Sequence, residues 1–329
     1  LKEVIRDDRR VVEAHDLLAD AYLGQGDTIL AQQAMQDAAE VSPKSVMRQR
    51  RLAELSKLNA DMQACLEASR RVIKTARNSV YESPDDYFNL ARNLADMSKE
   101  GEPNADKYVK ETFEVLQKLE KRPYFDVSAD VQSNALKSRS LLNNNKAEAA
   151  DPFLEKAKAL YNDRKEELKP EVGLDVAQTL IVKGDKAAAD EVLHELVEKF
   201  PTHEAVVAKA DSMSDTPKSK EGRKKVADMT KAGIDYYESK EYKKAVETFR
   251  NAIGIFPGHI GLNLNLVQAV IAEVKIHGEQ TGYETLCRNS LSRISNIDPQ
   301  DPQYARYSHL TKEVDELFKM DLSGLDIEW

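Results

Sequence analysis

Cysteine, glycine, proline and aromatic residues are all scarce in this 329-residue chain, and each shortage narrows what it can be. The two cysteines, Cys65 and Cys287, are too few and too far apart to staple a small secreted domain, so a reducing cytoplasm is the expected setting. Thirteen glycines, eleven prolines and 6% aromatics leave a composition dominated by residues that lose little freedom in a helix. No apolar run approaches the roughly 20 residues that cross a bilayer as a helix, and no membrane contact is expected. The start, Leu1-Lys2-Glu3-Val4-Ile5, has neither the basic leader nor the apolar core of a signal peptide. It also lacks an initiator Met, so the chain is expected to begin inside a longer protein.

Catalytic motifs are missing too. GxxxxGK, HExxH, GxSxG and CxxC do not occur. The six histidines (His15, His194, His203, His259, His277, His309) scatter without metal-ligand spacing. Carboxylate pairs such as Asp7-Asp8 and Asp85-Asp86 read as helix starts, where they meet the positive end of the dipole. No enzymatic activity, cofactor or metal is therefore expected. The net charge of −9 argues against a nucleic-acid ligand, because such binders gain affinity by displacing counterions with clustered Lys and Arg.

What the chain does have is a repeat. One copy runs His15-Asp16-Leu17-Leu18-Ala19-Asp20-Ala21-Tyr22, then Gly26-Asp27, Ala31, Met35, Ala38 and Pro43. A second has Val176-Ala177, Leu180, Gly184-Asp185, Ala189, Leu193, Leu196 and Pro201; a third has Ala232-Gly233, Tyr236, Ala245, Phe249, Ala252 and Pro257. In each, a large residue precedes the small Ala by nine positions, and Pro follows that Ala by twelve. The spacing describes two helices joined by a tight turn. Small residues let the helices approach, large ones fill the space beside them, and Pro stops the second helix. One such hairpin cannot bury its apolar face, so hairpins stack.

These residues resemble the tetratricopeptide repeat (TPR) consensus of roughly 34 residues. The resemblance implies an all-α superhelical solenoid that holds another protein or peptide. Weaker copies extend it over Val46 to Ser79, Pro84 to about Lys121, Val131 to Asp163 and Ile260 to Asp301, giving about six to seven helix-turn-helix repeats. Leu1, Val4 and Ile5 fall where the end of an earlier second helix belongs. Asp301 to Met320 reads as a polar capping helix. Cys65 and Cys287 occupy the small second-helix slot and are expected to be buried. Polar Asp211 to Gly222 breaks the period, so three parts are expected: an N-terminal array over 1–210, a hinge over 211–225, and a C-terminal repeat pair with cap and tail over 226–329. The basic run Lys218, Lys220, Arg223, Lys224, Lys225 reads as a solvated part of that hinge.

In TPR proteins certain first-helix positions line the groove. Carried over, they give Arg50, Glu54, Lys57, Phe88, Arg92, Arg139, Leu174, Gln178, Ile234, Tyr237, Leu264 and Gln268, with Glu13, Asp16 and Asp20 in the first copy. The expected groove is acidic at its start, basic through Arg50, Arg92 and Arg139, and apolar toward the end, suiting a peptide with an acidic part and an apolar anchor. The carboxylate clamp some TPR proteins use on chaperone tails is not matched. Asn265 sits at one clamp position, but Thr230 and Ile234 occupy the two before it. The tail Asp321 to Trp329, acidic and apolar, could dock on a partner, on a second copy or on the cap. More narrowly, Ala210 through Val267 is similar to the C-terminal region of bacterial response regulators that join a CheY-like receiver to a TPR array. That resemblance implies a two-component signalling output, acting through a partner peptide or self-association. The alternative is an RNA-associated helical repeat protein using Arg50, Arg92, Arg139 and the 218–225 run.

Overall fold

A computed structural model describes residues 1–278, 281–295 and 297–318. Within them are seventeen helices. The chain divides into two compact units, Leu1–Lys183 and the remainder from Gly184. The first holds α1 (Lys2–Asp7), α2 (Val12–Gly24), α3 (Thr28–Val41), α4 (Val46–Leu58), α5 (Met62–Ala76), α6 (Pro84–Asp96), α7 (Ala105–Glu120), α8 (Val127–Asn143), α9 (Ala147–Asp163) and α10 (Pro170–Lys183). The second holds α11 (Lys186–Lys199), α12 (Glu204–Met213), α13 (Lys220–Glu238), α14 (Tyr242–Ile255), α15 (Ile260–His277), α16 (Tyr283–Arg293) and α17 (Tyr304–Leu317). Hairpins α2/α3, α4/α5, α6/α7, α8/α9, α13/α14 and α15/α16 are the expected copies, and α17 is the expected closing helix.

One local device makes most of the hairpins. Two residues before the second helix, the backbone is left-handed in four of these hairpins, at Gly26 (φ 79°), Ala60 (59°), Asn145 (57°) and Lys240 (60°), and Gly184 (89°) holds the same place before α11. Glycine adopts this shape freely; Ala and Lys adopt it against steric resistance. The return comes in hydrogen bonds. The amide of Asp27 reaches Tyr22 O at 2.9 Å, that of Asp61 reaches Ser56 O at 2.8 Å, and that of Glu241 reaches Tyr236 O at 2.9 Å, each closing a helix end. Asp27, Asp61 and Asp185 then cap the next helix by accepting from Leu30, Ala64 and Ala188. The α6/α7 hairpin instead has an enlarged turn over Lys99 to Asn104. It leans on α8, with the Glu100 amide donating to Asn143 O at 2.9 Å.

Packing follows the small residues. Ala19, Ala31, Ala91, Ala135, Ala150 and Ala245 are fully buried. Cys65 and Cys287 are buried in the same slot as those alanines, and burial pushes both thiols up, Cys287 to about 12. Two larger clusters fill the space between hairpins. In the first unit Leu66, Tyr87, Phe88, Leu90, Leu94, Leu116 and Leu136 pack together; in the second Phe249, Leu262, Leu266, Val267, Leu291 and Val314 do so.

The segment expected as a hinge is different in the structure. Residues 211–225 lie inside the second unit, with α12 running to Met213 and α13 starting at Lys220, so only the six residues 214–219 are irregular. The cause is Asp211. Its buried carboxylate accepts from the Lys218 amide at 2.7 Å, the Ser219 amide at 2.9 Å and the Ser219 hydroxyl, while Ser219 caps α13. Polar composition signalled a loop; a buried acceptor converts it into a pinned turn. The basic run is partly committed too. Lys218 Nζ pairs with Asp190 at 2.6 Å and Arg223 donates to Lys218 O at 2.6 Å. The tail 321–329 lies outside the described residues.

Gly233 on α13 gives a direct test of close packing, because a Cβ there would collide with the buried ring of Phe249. Gly233→Ala gains about 1 kcal/mol of helix propensity yet is expected to destabilise the second unit by about 1–3 kcal/mol, the cost of overpacking. Urea unfolding followed by circular dichroism measures the balance, and an unchanged or raised midpoint would show that the ring yields freely.

Candidate functional site

Most of the expected groove charges turn out to hold first helices to one another. Arg48 on α4 clasps Asp16 on α2 at 2.7 Å, and Arg51 pairs with Asp20. Arg50 grips Asp86 on α6 with both arms, Nε to Oδ1 at 2.8 Å and Nη2 to Oδ2 at 2.7 Å, and its Nη2 also donates to Tyr81 O. Such two-armed pairs are directional as well as attractive. The expected acidic start is therefore neutralised by Arg48 and Arg51, and the expected basic stretch by Asp86 and Asp175.

The deepest of these contacts centres on Asp175 of α10, whose side chain is 5% exposed. Arg92 of α6 donates to it from Nε (2.9 Å) and Nη2 (2.7 Å), Gln132 of α8 donates at 2.9 Å, and Arg139 of α8 lies 3.8 Å away. Arg139 is itself buried, with Asp96 at 3.4 Å. Three first helices thus meet on one carboxylate. Burial alone would raise the Asp175 carboxyl. Arg92 chiefly, then Arg139 and Gln132, outweigh that and hold it below the usual carboxylate range.

Three residues expected on the groove surface are corrected by their burial. Phe88 is 3% exposed and belongs to the core of the first unit, with the Arg92 guanidinium 5.9 Å above its ring. Leu264 is fully buried in the core of the second, and Arg139 is withdrawn as described. The faces of neighbouring helices decide which of the first-helix positions is covered. Lys57 and Glu54 are exposed on α4, Leu174 and Gln178 are half-buried on α10, and Ile234 is 39% exposed on α13.

In the second unit two expected residues do meet at a cleft. Tyr237 of α13 and Gln268 of α15 line a space of about 360 Å³ closed on the far side by α17, with the Gln268 amide 3.4 Å from the Tyr237 hydroxyl. Tyr237 stacks edge-on against Tyr242 at 5.1 Å. The residue that sequence reasoning missed is Arg306 on α17. Its Nη2 donates to Asn265 Oδ1 at 2.7 Å and Gln268 Oε1 at 2.6 Å. Burial presses the guanidinium below its ordinary value, with Tyr237 opposing. No carboxylate pairs with it among the described residues, and its Nε and Nη1 donors have no partner there. Two neutral acceptors thus fix the fork and leave one side of it free. Lys275 in the same cleft is already paired with Glu313 at 2.5 Å. The overlooked signal was an arginine in an element read only as a polar cap.

Residues 12–45 match the family model described as Tetratricopeptide repeat. That segment is the α2/α3 hairpin, and the described residues as a whole are all-α. Among solved structures, it is similar to a thermophilic TPR protein of Thermus thermophilus (14% identity, 62% of this chain and 98% of that one, TM-score 0.41). It is also similar to a TPR protein from Parabacteroides merdae (9% identity, 92% and 98%, TM-score 0.38) and to YrrB, a TPR protein with an unusual peptide-binding site (13% identity, 62% and 94%, TM-score 0.34). No curated protein matches. No helix among the described residues is long and apolar enough to cross a membrane.

The Asp175 cluster predicts a pH dependence. A carboxyl held low in the folded state contributes stability that is complete above its unfolded value near pH 4 and is lost as pH falls through the lower folded value. Denaturant unfolding of the first unit should therefore weaken progressively below about pH 4. Asp175→Asn should remove part of that dependence and, at neutral pH, cost about 3–5 kcal/mol by leaving half-buried Arg92 without its counter-charge and Arg139 with Asp96 alone. A variant of unchanged stability would show that water screens the cluster.

Proposed function

We propose that this chain is a protein-interaction scaffold that seats a carboxylate-bearing peptide across α13, α15 and α17. Arg306 is the observation that carries the reading. A half-buried guanidinium with an open pair of donors is the recognition element for a planar carboxylate, and Asn265 and Gln268 hold it ready so that little ordering is needed on binding. Tyr237 supplies apolar surface in the same cleft, and exposed Ile234 lies three residues before it on α13, in keeping with the apolar anchor expected near this end of the chain. The same face could receive a second copy of the chain, its carboxylate serving as ligand.

The resemblance of residues 210–267 to response-regulator TPR regions supports a narrower reading, in which this cytoplasmic scaffold is an output module of a bacterial two-component system. The RNA-binding alternative loses its main cations, since Arg50, Arg92 and Arg139 are engaged by carboxylates.

A photo-crosslinking residue at Ile234 tests the site in bacterial cells. It should trap a partner peptide, and Arg306→Gln should reduce the yield about tenfold or more, since a charged hydrogen bond is worth about 1.5–3 kcal/mol. Crosslinks confined to the chain itself would mean self-association. Capture indifferent to Arg306→Gln would overturn the assignment of the carboxylate site.

A further inference from the structure

A second cleft, in the first unit, has the opposite electrostatic character from the first-helix face. It encloses about 950 Å³ between α5 and α7, the second helices of two consecutive repeats. Arg70, Lys74 and Arg77 recur along and just past the end of α5 at helical spacing; Lys107, Lys110 and Lys118 recur along α7, and Lys121 and Arg122 follow it. Eight cationic side chains line it against two carboxylates, in a chain whose net charge is −9.

Both carboxylates are already engaged. Glu111 is held by Arg70 through two bonds of 2.6 and 2.8 Å, and Glu114 lies 4.0 Å from Lys110. Arg122 is held by Glu82 at 2.9 Å. Lys74, Arg77, Lys107, Lys118 and Lys121 are exposed and have no ion-pair partner among the described residues. Lys74 and Lys118 sit in last helical turns, where the helix dipole favours a cation. That account fails for Lys107, which lies in the first turn of α7, where a cation is disfavoured. Most of the expected first-helix charges of this unit are paired with charges on other first helices, whereas this surplus is left open.

We propose that the α5/α7 cleft binds an acidic, amphipathic peptide segment of another protein, its Glu and Asp side chains answering the uncancelled lysines. Leu90 and Val115 are buried beneath the floor, and half-buried Ile73 is the apolar side chain there with surface left for an apolar stripe between the ligand's acidic edges. A nucleic acid fits less well. Tyr87 is the one aromatic lining the cleft, it is 2% exposed, and its hydroxyl is bound to Glu82, so there is no face for bases to stack on.

The test is fluorescence anisotropy of the full chain with a labelled synthetic peptide of about 16 residues carrying Glu and Leu at helical spacing. Saturable binding is expected, weakening as salt rises. The triple variant Lys74→Glu, Lys107→Glu, Lys118→Glu should bind at least about tenfold more weakly. The control triple Lys220→Glu, Lys224→Glu, Lys225→Glu makes the same charge change at exposed positions of α13 and should bind as the parent does. Arg306→Gln should also leave this binding intact, which separates it from the carboxylate site. Thermal melts establish that each variant is folded, and replacing the three cleft lysines by Ser gives the same comparison should reversal perturb the fold. Equal loss in both triples, no saturable binding, or displacement of the peptide by an oligothymidylate that itself binds more tightly would overturn the proposal.

Discussion

A helical hairpin with an alanine or glycine at its crossing can bury one side of itself and no more. Everything else in this chain follows from that constraint. The close approach at Ala19 and Ala31, or at Gly233 under Phe249, leaves the far faces of each pair apolar, and only the next hairpin can cover them. The left-handed turn residues serve the same end. They bring the second helix back at once, with the turn's own amides satisfied, so that the small positions come opposite each other.

Stacking has a consequence for charge. Stacked first helices come within reach of each other's long side chains, and here they are stitched by arginine–carboxylate pairs: Arg48 with Asp16 and Arg50 with Asp86 between neighbouring repeats, and Arg92 with Asp175 across the repeat between them. Removing these charges from water is costly unless each finds its partner, and Asp175 finds two arginines and an amide. The surface expected to recognise partners by charge in the first unit is therefore internally satisfied. Open charge is found instead where a side chain is fixed by neutral groups, as Arg306 is by Asn265 and Gln268, or where a helix face has cations without counterparts, as on α5 and α7.

The repeat period was legible because it is written in residue size. Ala at one position, a large residue nine before it and Pro twelve after it survive in three copies well enough to place most of the helices. Asn145 and Lys240 were not legible as turn residues, since neither is the glycine that advertises a positive φ. The hinge over 211–225 was read from polarity, and polarity carries no information about whether a carboxylate such as Asp211 will be buried against the backbone that follows it. Tyr237 and Gln268 were found at a cleft because they share a register; Arg306 was not, because its helix belongs to no complete repeat.

Sequence by itself determined the helical hairpin, its period and the identity of the buried small positions, including Cys65 and Cys287, because these depend on neighbours within one repeat. Tertiary structure decided which charges remain available. That depends on side chains far apart in sequence, such as Arg92 and Asp175, whose pairing exists only once the intervening hairpins have stacked.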